Sequence, residues 1–217
     1  MARYDEAEIY YKAVLAAGYT SEDCPTLDTS FFNLGKAFYK LGDYHKAQSC
    51  YKSVLAAGCN GEDLHSFCTA FFDLGKRFCN LIQYNEARMC FESVLKVYRA
   101  LNENDKRICL TLLNLAYSLK VLGSYEAAVP YYEELLSIAK ILFGRKSPIV
   151  ADLYILLGET LEKLGRHDEV RKCSKKRKAI LSLSGRIRRL LSSEQPHSTF
   201  NDIETGMMVL KTRTSVH

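Results

Sequence analysis

The chain has 217 residues, 47% of them apolar and 25% charged. That is enough to bury a continuous core, and no uninterrupted apolar run nears the roughly 20 residues that a membrane-spanning helix requires. The formal net charge of +5 is uneven: residues 1–165 hold 18 Lys plus Arg against 20 Asp plus Glu, and residues 166–217 hold 12 against 5, so a nearly neutral body precedes a basic tail.

The opening MARYDEAEIYYKAV lacks the apolar stretch of a secretory signal, so a soluble, cytoplasmic protein is the expectation. Residues 1–18 read as one amphipathic helix. Tyr4, Ala7, Tyr11, Val14 and Leu15 align with the second half of the block that follows, GDYHKAQSCYKSVLAAG. A second helix with no first helix before it is a half repeat, and its partly uncovered apolar face suggests self-association or a longer array.

Residues 28–60 carry the first full copy of that block: Leu34-Gly35, Phe38 four residues after the leucine, a break at Gly42-Asp43, then Tyr44, Ala47, Tyr51 and Val54. Apolar residues at helical spacing on both sides of the break predict two short amphipathic helices. Gly42 supplies the left-handed backbone that such a helix stop favours. The second copy, residues 66–100, has Leu74-Gly75, Phe78 and Ala87, but Leu81-Ile82 replaces the glycine signal at its turn. In the third, residues 107–142, come Leu115-Ala116, Leu119, Gly123 and Ala128. Its Pro130, beyond the first turn of a helix starting near Ser124, predicts a bend. The fourth, residues 148–183, keeps Leu157-Gly158, Leu161, Gly165 and Val170 and then degenerates, with His167 in place of the turn tyrosine and Ser174 in place of the aromatic residue.

The repeat leucines are spaced by 40, 41 and 42 residues, and self-similarity of that period marks a stacked repeat array whose neighbours share one core. Gly35, Ala47, Gly75 and Ala87 let helix backbones approach closely, while Phe31, Phe38, Tyr44 and Tyr51 fill the space between them. Cys50, Cys90 and Cys173 occupy one repeat position, held elsewhere by Tyr10 and Tyr131. A slot shared by cysteine and tyrosine is a packing slot for buried, reduced thiols.

Past the fourth copy, Ile180, Leu183, Ile187 and Leu190 recur at helical spacing, with ten Lys or Arg between residues 166 and 191. A basic capping helix over 184–192 is predicted, interrupted at Gly185. Lys175, Lys176, Arg177, Lys178, Arg186, Arg188 and Arg189 fit a solvated cap, a nuclear-import signal at 175–178, an anionic membrane surface or a calmodulin-like partner. Electrostatic contact with nucleic acid is conceivable from so many cations, but no recognised reading module supports a specific one. Residues 193–217 have no sustained period and read as disordered.

The search for chemistry comes back thin. The eight cysteines include no CxxC pair, and His45, His65, His167, His197 and His217 have no second ligand at metal spacing. There is no glycine-lysine phosphate loop and no GxSxG elbow. Glu133 and Glu134 are adjacent on a helix and point to different sides, a solvated face more than an acid/base pair. No enzyme activity, cofactor or metal is expected.

The shared pattern, L-[GA]-x-x-[FL], then GDY or GSY at the turn, then Ala and an aromatic four residues later, resembles the tetratricopeptide repeat over about residues 1–180. The period exceeds the usual 34 residues. Gly144, Pro148, Val150 and Ala151 leading to Leu157, together with AAVPYYEELL, look like the repeats of kinesin light chain and nephrocystin-3, and LKVLGSYEAAV is also similar to those of G-protein-signalling modulators. The resemblance implies an all-α, right-handed α-solenoid of stacked antiparallel helix pairs. It implies a non-enzymatic adaptor that holds peptide or helical segments of partner proteins in a concave groove lined by the first helices.

The family's groove positions fall on Asn33, Asp73, Asn114 and Leu156 before the repeat leucine, on Lys36, Lys76, Tyr117 and Glu159 two residues after it, and on Tyr39, Cys79, Lys120 and Glu162 five after it. Asn33 and Asn114 match asparagines that in kinesin light chains hold a ligand's backbone, a task that suits a side chain able to donate and accept at once. Such a groove is basic and aromatic through three copies and acidic at the fourth, which favours an acidic and apolar peptide. Phe32 and Phe72 stand where the chaperone-docking subfamily would place Lys, so capture of a C-terminal acidic tail is not expected. The competing reading is a regulatory or nucleus-associated factor whose basic segment 166–191 makes the main contact, with an acidic partner, nucleic acid or membrane surface.

Overall fold

The structure, a computed structural model, describes residues 25–56, 63–101 and 106–190, together with Glu6, Ile9 and Ala13. Every regular element among the described residues is a helix: α1 (Pro25–Lys40), α2 (Tyr44–Ala56), α3 (Asp63–Asn80), α4 (Tyr84–Ala100), α5 (Lys106–Val121), α6 (Tyr125–Leu142), α7 (Pro148–Lys163) and α8 (His167–Leu190). They form four helix pairs, α1/α2, α3/α4, α5/α6 and α7/α8. Of the expected half repeat at 1–18, Glu6, Ile9 and Ala13 are helical and exposed, and the rest lies outside the described residues, as does the tail at 193–217.

All four intra-pair turns close in one way. The amide of residue 42, 82, 123 or 165 donates to the carbonyl of Tyr39, Cys79, Lys120 or Glu162, and the next amide donates to that of Phe38, Phe78, Leu119 or Leu161, at 2.9–3.1 Å. This is the Schellman arrangement, which needs a left-handed residue just past the helix. Gly42, Gly123 and Gly165 supply it with φ of 81, 75 and 69°. The second copy makes the same turn without glycine: Ile82 is forced to φ 62°, with its side chain 77% exposed. Between α6 and α7 the chain turns on Gly144 at φ 84°. Helix α7 then starts on an N-cap, Ser147 accepting from the Ile149 amide at 3.2 Å with Pro148 at the first helical position.

The chain divides into two compact units, residues 1–97 and 98–217. In the first, α1 packs on α2 and α3 on α4 through a glycine of one helix and the aromatic residue of the other. A Cβ on Gly75 would come within 2.7 Å of the Phe91 ring and 3.2 Å of Cys90 Cβ, and Gly35 faces Tyr51 and Cys50 in the same manner. Tyr51 then bridges the pairs, its ring centroid 5.8 Å from Phe67 and 5.7 Å from Phe71 of α3. Gln48 links α2 to α4, its buried amide donating to the Glu86 carbonyl at 3.2 Å and lying 3.3 Å from Cys90 Sγ. In the second unit Leu112, Leu113 and Leu115 of α5, Tyr132 of α6 and Leu153 of α7 are fully buried. Each such side chain contributes roughly 1.5 to 3 kcal/mol by leaving water.

Two expectations change. The break at Gly185 is not present: α8 runs through it to Leu190, because one glycine costs a helix only about 1 kcal/mol and the residues around it are good helix formers. Pro130 lies inside α6 and past its first turn, standing sixth in the helix. No separate 184–192 helix is distinguished from the second helix of the fourth copy.

Candidate functional site

The first helices of neighbouring copies meet in each unit. In the first, Arg77 Nε of α3 donates to the Tyr39 hydroxyl of α1 at 3.3 Å, which holds the Arg77 guanidinium firmly in its charged form. In the second, Lys120 Nζ of α5 lies 2.5 Å from Glu159 Oε2 of α7. Both contacts start from the residue five after a repeat leucine and reach to the first helix of the next copy. The family resemblance would place a ligand on that face.

On the first unit's face Asn33, Lys36 and Lys76 are exposed, and Tyr39 and Asp73 are half-buried. Lys36 Nζ rests 4.1 Å from the centroid of the buried Phe32 ring, and Lys76 lies 5.5 Å from the Phe72 ring while pairing with Asp73 at 2.8 Å. The two phenylalanines therefore serve as the floor on which the lysines lie. Behind them sits an edge-to-face chain, with Tyr39 against Tyr44 at 5.5 Å and Tyr44 against Phe78 at 6.3 Å. His45 stacks on the same Phe78 at 5.4 Å.

The second unit differs. Tyr117 is only 3% exposed, so its ring belongs to the packing of α5 and offers little surface, contrary to a groove-lining role. Most of α5 is apolar on every side, which draws the residue inward. Asn114 is half-buried and its Nδ2 donates to the Leu110 carbonyl of its own helix at 2.8 Å. Leu156, the fourth copy's equivalent of Asn114, is buried, and so is Cys79 of the first unit, the equivalent of Tyr39 and Lys120.

Sequence reasoning missed Arg77. It stands three residues after Leu74, where the other copies have Ala37, Ser118 and Thr160, and nothing in its neighbourhood signals a partner 38 residues earlier. On α8, Lys175, Lys176, Arg177 and Lys178 are all exposed. Arg186, Arg188 and Arg189 fall in the helix's last turns, with side chains outside the described residues.

The six described cysteines are buried and unbridged, and burial pushes the Cys90 thiol up to about 12, with the Gln48 contact offsetting only part of the rise. A thiol kept protonated is a poor nucleophile. Among the described residues no group of His, Cys, Asp and Glu gathers that could hold a metal ion, and no helix is long and apolar enough to cross a membrane.

A family profile described as tetratricopeptide repeat matches residues 1–58 and 107–181. Among solved structures, the chain is similar to the nearly identical TPR-like repeats of a putative kinesin light chain from Podosopora anserina, at 18% identity and a TM-score of 0.50 over 85% of this chain and 95% of that one. It is also similar to aspartyl phosphate phosphatase F from Bacillus subtilis, at 18% identity and a TM-score of 0.51, covering 73% of this chain and 41% of that one. At such identities the likeness is one of fold. No curated protein sequence matches the chain.

Proposed function

The chain belongs to the tetratricopeptide repeat family, and on that footing we propose that it is a non-enzymatic adaptor that holds peptide or helical segments of partner proteins against its first helices. The observation that carries this reading is the face of α1 and α3. Tyr39 and Arg77 tie the two helices together, and Asn33, Lys36 and Lys76 stand exposed on them, Lys36 over the buried Phe32 ring and Lys76 over the half-buried Phe72 ring. An extended chain laid there finds an amide to pair its backbone, cations for its carboxylates and ring edges for its aliphatic groups. The preferred ligand is accordingly an acidic and apolar segment. In the second unit the half-buried Asn114 and Lys120 offer a smaller polar surface, since Lys120 is already neutralised by Glu159.

The second reading makes the basic stretch of α8 the working surface, favoured by the run of exposed cations from Lys175 to Lys178. A cytoplasmic location is proposed, and that cluster would serve nuclear entry under this alternative. Partner capture from lysate separates the two. Lys36→Glu with Lys76→Glu should abolish capture if the α1/α3 face works, whereas Lys175→Gln, Arg177→Gln and Lys178→Gln together should leave it intact; the reverse pattern transfers the function to α8. Raising the salt should weaken capture in either case, because exposed charge contacts are screened.

A further inference from the structure

A cleft of about 650 Å³ opens in the second unit, lined by residues of α6, the α6–α7 connection, α7 and α8. Tyr154, only 6% exposed, is part of its wall. Two ammonium groups attend that one ring, Lys140 Nζ of α6 at 5.4 Å from its centroid and Lys176 Nζ of α8 at 5.7 Å. Arg145, from the α6–α7 connection, adds a third cation to the lining.

Several cations of the unit lie against a carboxylate. Arg99 pairs with Glu134, Lys120 with Glu159, Arg166 with Glu169 and Arg171 with Asp168. Among the described residues Lys140, Arg145 and Lys176 have no carboxylate partner within ion-pair distance, although they line one concavity and repel one another. A cleft walled by protein focuses such a field and raises the local concentration of anions. The remaining lining is Ser137 and three aliphatic residues, Ile141, which is 83% exposed, and Ala179 and Ile180 of α8. Carboxylates of Glu133, Asp168 and Glu169 line the adjoining cleft toward Leu161, whose wall also includes Lys140, Tyr154 and Lys176; Arg145 and Ile141 belong to the first cleft.

We propose that this cleft is a second docking site, which takes a peptide segment of a partner protein carrying Asp or Glu beside Leu or Ile. The carboxylate sits among Lys140, Arg145 and Lys176, and the aliphatic side chain covers Ile141. A small inorganic anion would satisfy the charge but leave the apolar wall and most of the volume unused. The sequence pattern grouped Lys176 with the basic segment 166–191; the fold joins it to two cations, Lys140 and Arg145, that lie outside that segment.

The test uses the full chain and a short fluorescein-labelled peptide of alternating Glu and Leu, with Gln–Leu and Lys–Leu peptides as controls, followed by fluorescence anisotropy. The Glu–Leu peptide should bind and the controls should not. Lys140→Gln with Lys176→Gln should weaken binding about tenfold or more, as expected for losing two contacts worth somewhat under 1 kcal/mol each. Ile141→Ser should weaken it less, and Tyr154→Phe, which keeps the ring, should leave it unchanged. Because the α1/α3 face favours the same acidic and apolar chemistry, the series is repeated in a Lys36→Glu, Lys76→Glu background, where Glu–Leu binding at the cleft should persist and keep its dependence on Lys140 and Lys176. The proposal is overturned if the Gln–Leu peptide binds as well, if the cleft variant binds like the parent, if the loss appears only in the α1/α3 variant, if inorganic phosphate binds with the same lysine dependence while the peptide does not, or if no binding is seen.

Discussion

The glycine that follows the repeat leucine has one sequence signature and two physical roles. At Gly75 a Cβ would strike the Phe91 ring at 2.7 Å, whereas at Gly158 the nearest atom is Cys173 Cβ at 3.8 Å, an ordinary contact. The difference comes from the residue after the cysteine slot, which is Phe91 in the second copy and Ser174 in the fourth. Gly75→Ala is therefore expected to destabilise by about 1 to 3 kcal/mol through overpacking, and Gly158→Ala to stabilise by up to about 1 kcal/mol through helix propensity, both read from urea unfolding. Equal effects of one sign would mean that the ring does not set the spacing. The thiol beside that ring gives a second expectation. Cys90 is held protonated up to about 12 by burial, from an ordinary value of 9.0, so above pH 9 the unfolded chain releases a proton that the folded chain keeps. Stability should be full below pH 9 and fall as pH rises from there through 12. Cys90→Ala, though less stable throughout, should show a shallower fall in urea midpoint between about pH 8 and about 10.5, once its own thiol no longer contributes.

The four turns show how far an element can be read from sequence. Gly42, Gly123 and Gly165 announced theirs, because a left-handed residue past a helix is most often glycine. Ile82 was silent, yet the chain closes the same pair of hydrogen bonds there, Gln83 N to Phe78 O at 2.9 Å included. Packing of α3 on α4 dictates the reversal and the local residue yields. Helix pairs were legible for this reason: their apolar spacing reports on the core, and the core overrides a poor turn. What was not legible depends on contacts between residues about forty apart, such as Arg77 with Tyr39, or on depth within a helix, which buries Tyr117 while its counterparts Lys36 and Lys76 stay at the surface. A β-branched residue held left-handed stores strain of about 1 to 2 kcal/mol, of which a glycine returns part, since it also loosens the unfolded chain. Ile82→Gly should thus raise stability by roughly 1 kcal/mol, visible as a higher urea midpoint with unchanged slope. A loss instead would show that the exposed isoleucine makes contacts worth more than its strain.

At the scale of the molecule, stability is distributed. Helix-pair repeats draw their core from neighbours, so the total is near a sum of copies and interfaces between them. The chain divides into two compact units between Val97 and Tyr98, and cooperativity should follow that division. Phe71, fully buried against Tyr51 and Phe67, belongs to the first unit; Leu153, equally buried, belongs to the second. Truncating either to alanine removes about 2 to 5 kcal/mol by lost burial and a cavity. If each unit opens as its own block, Phe71→Ala will speed amide hydrogen exchange in α1, α2 and α3 and leave α5 to α8 protected as in the parent, and Leu153→Ala will do the converse. Uniform acceleration along the whole chain by both variants would instead make the repeats a single cooperative body, and a substitution beneath the Tyr39–Arg77 face would then reach the Tyr154 cleft as well.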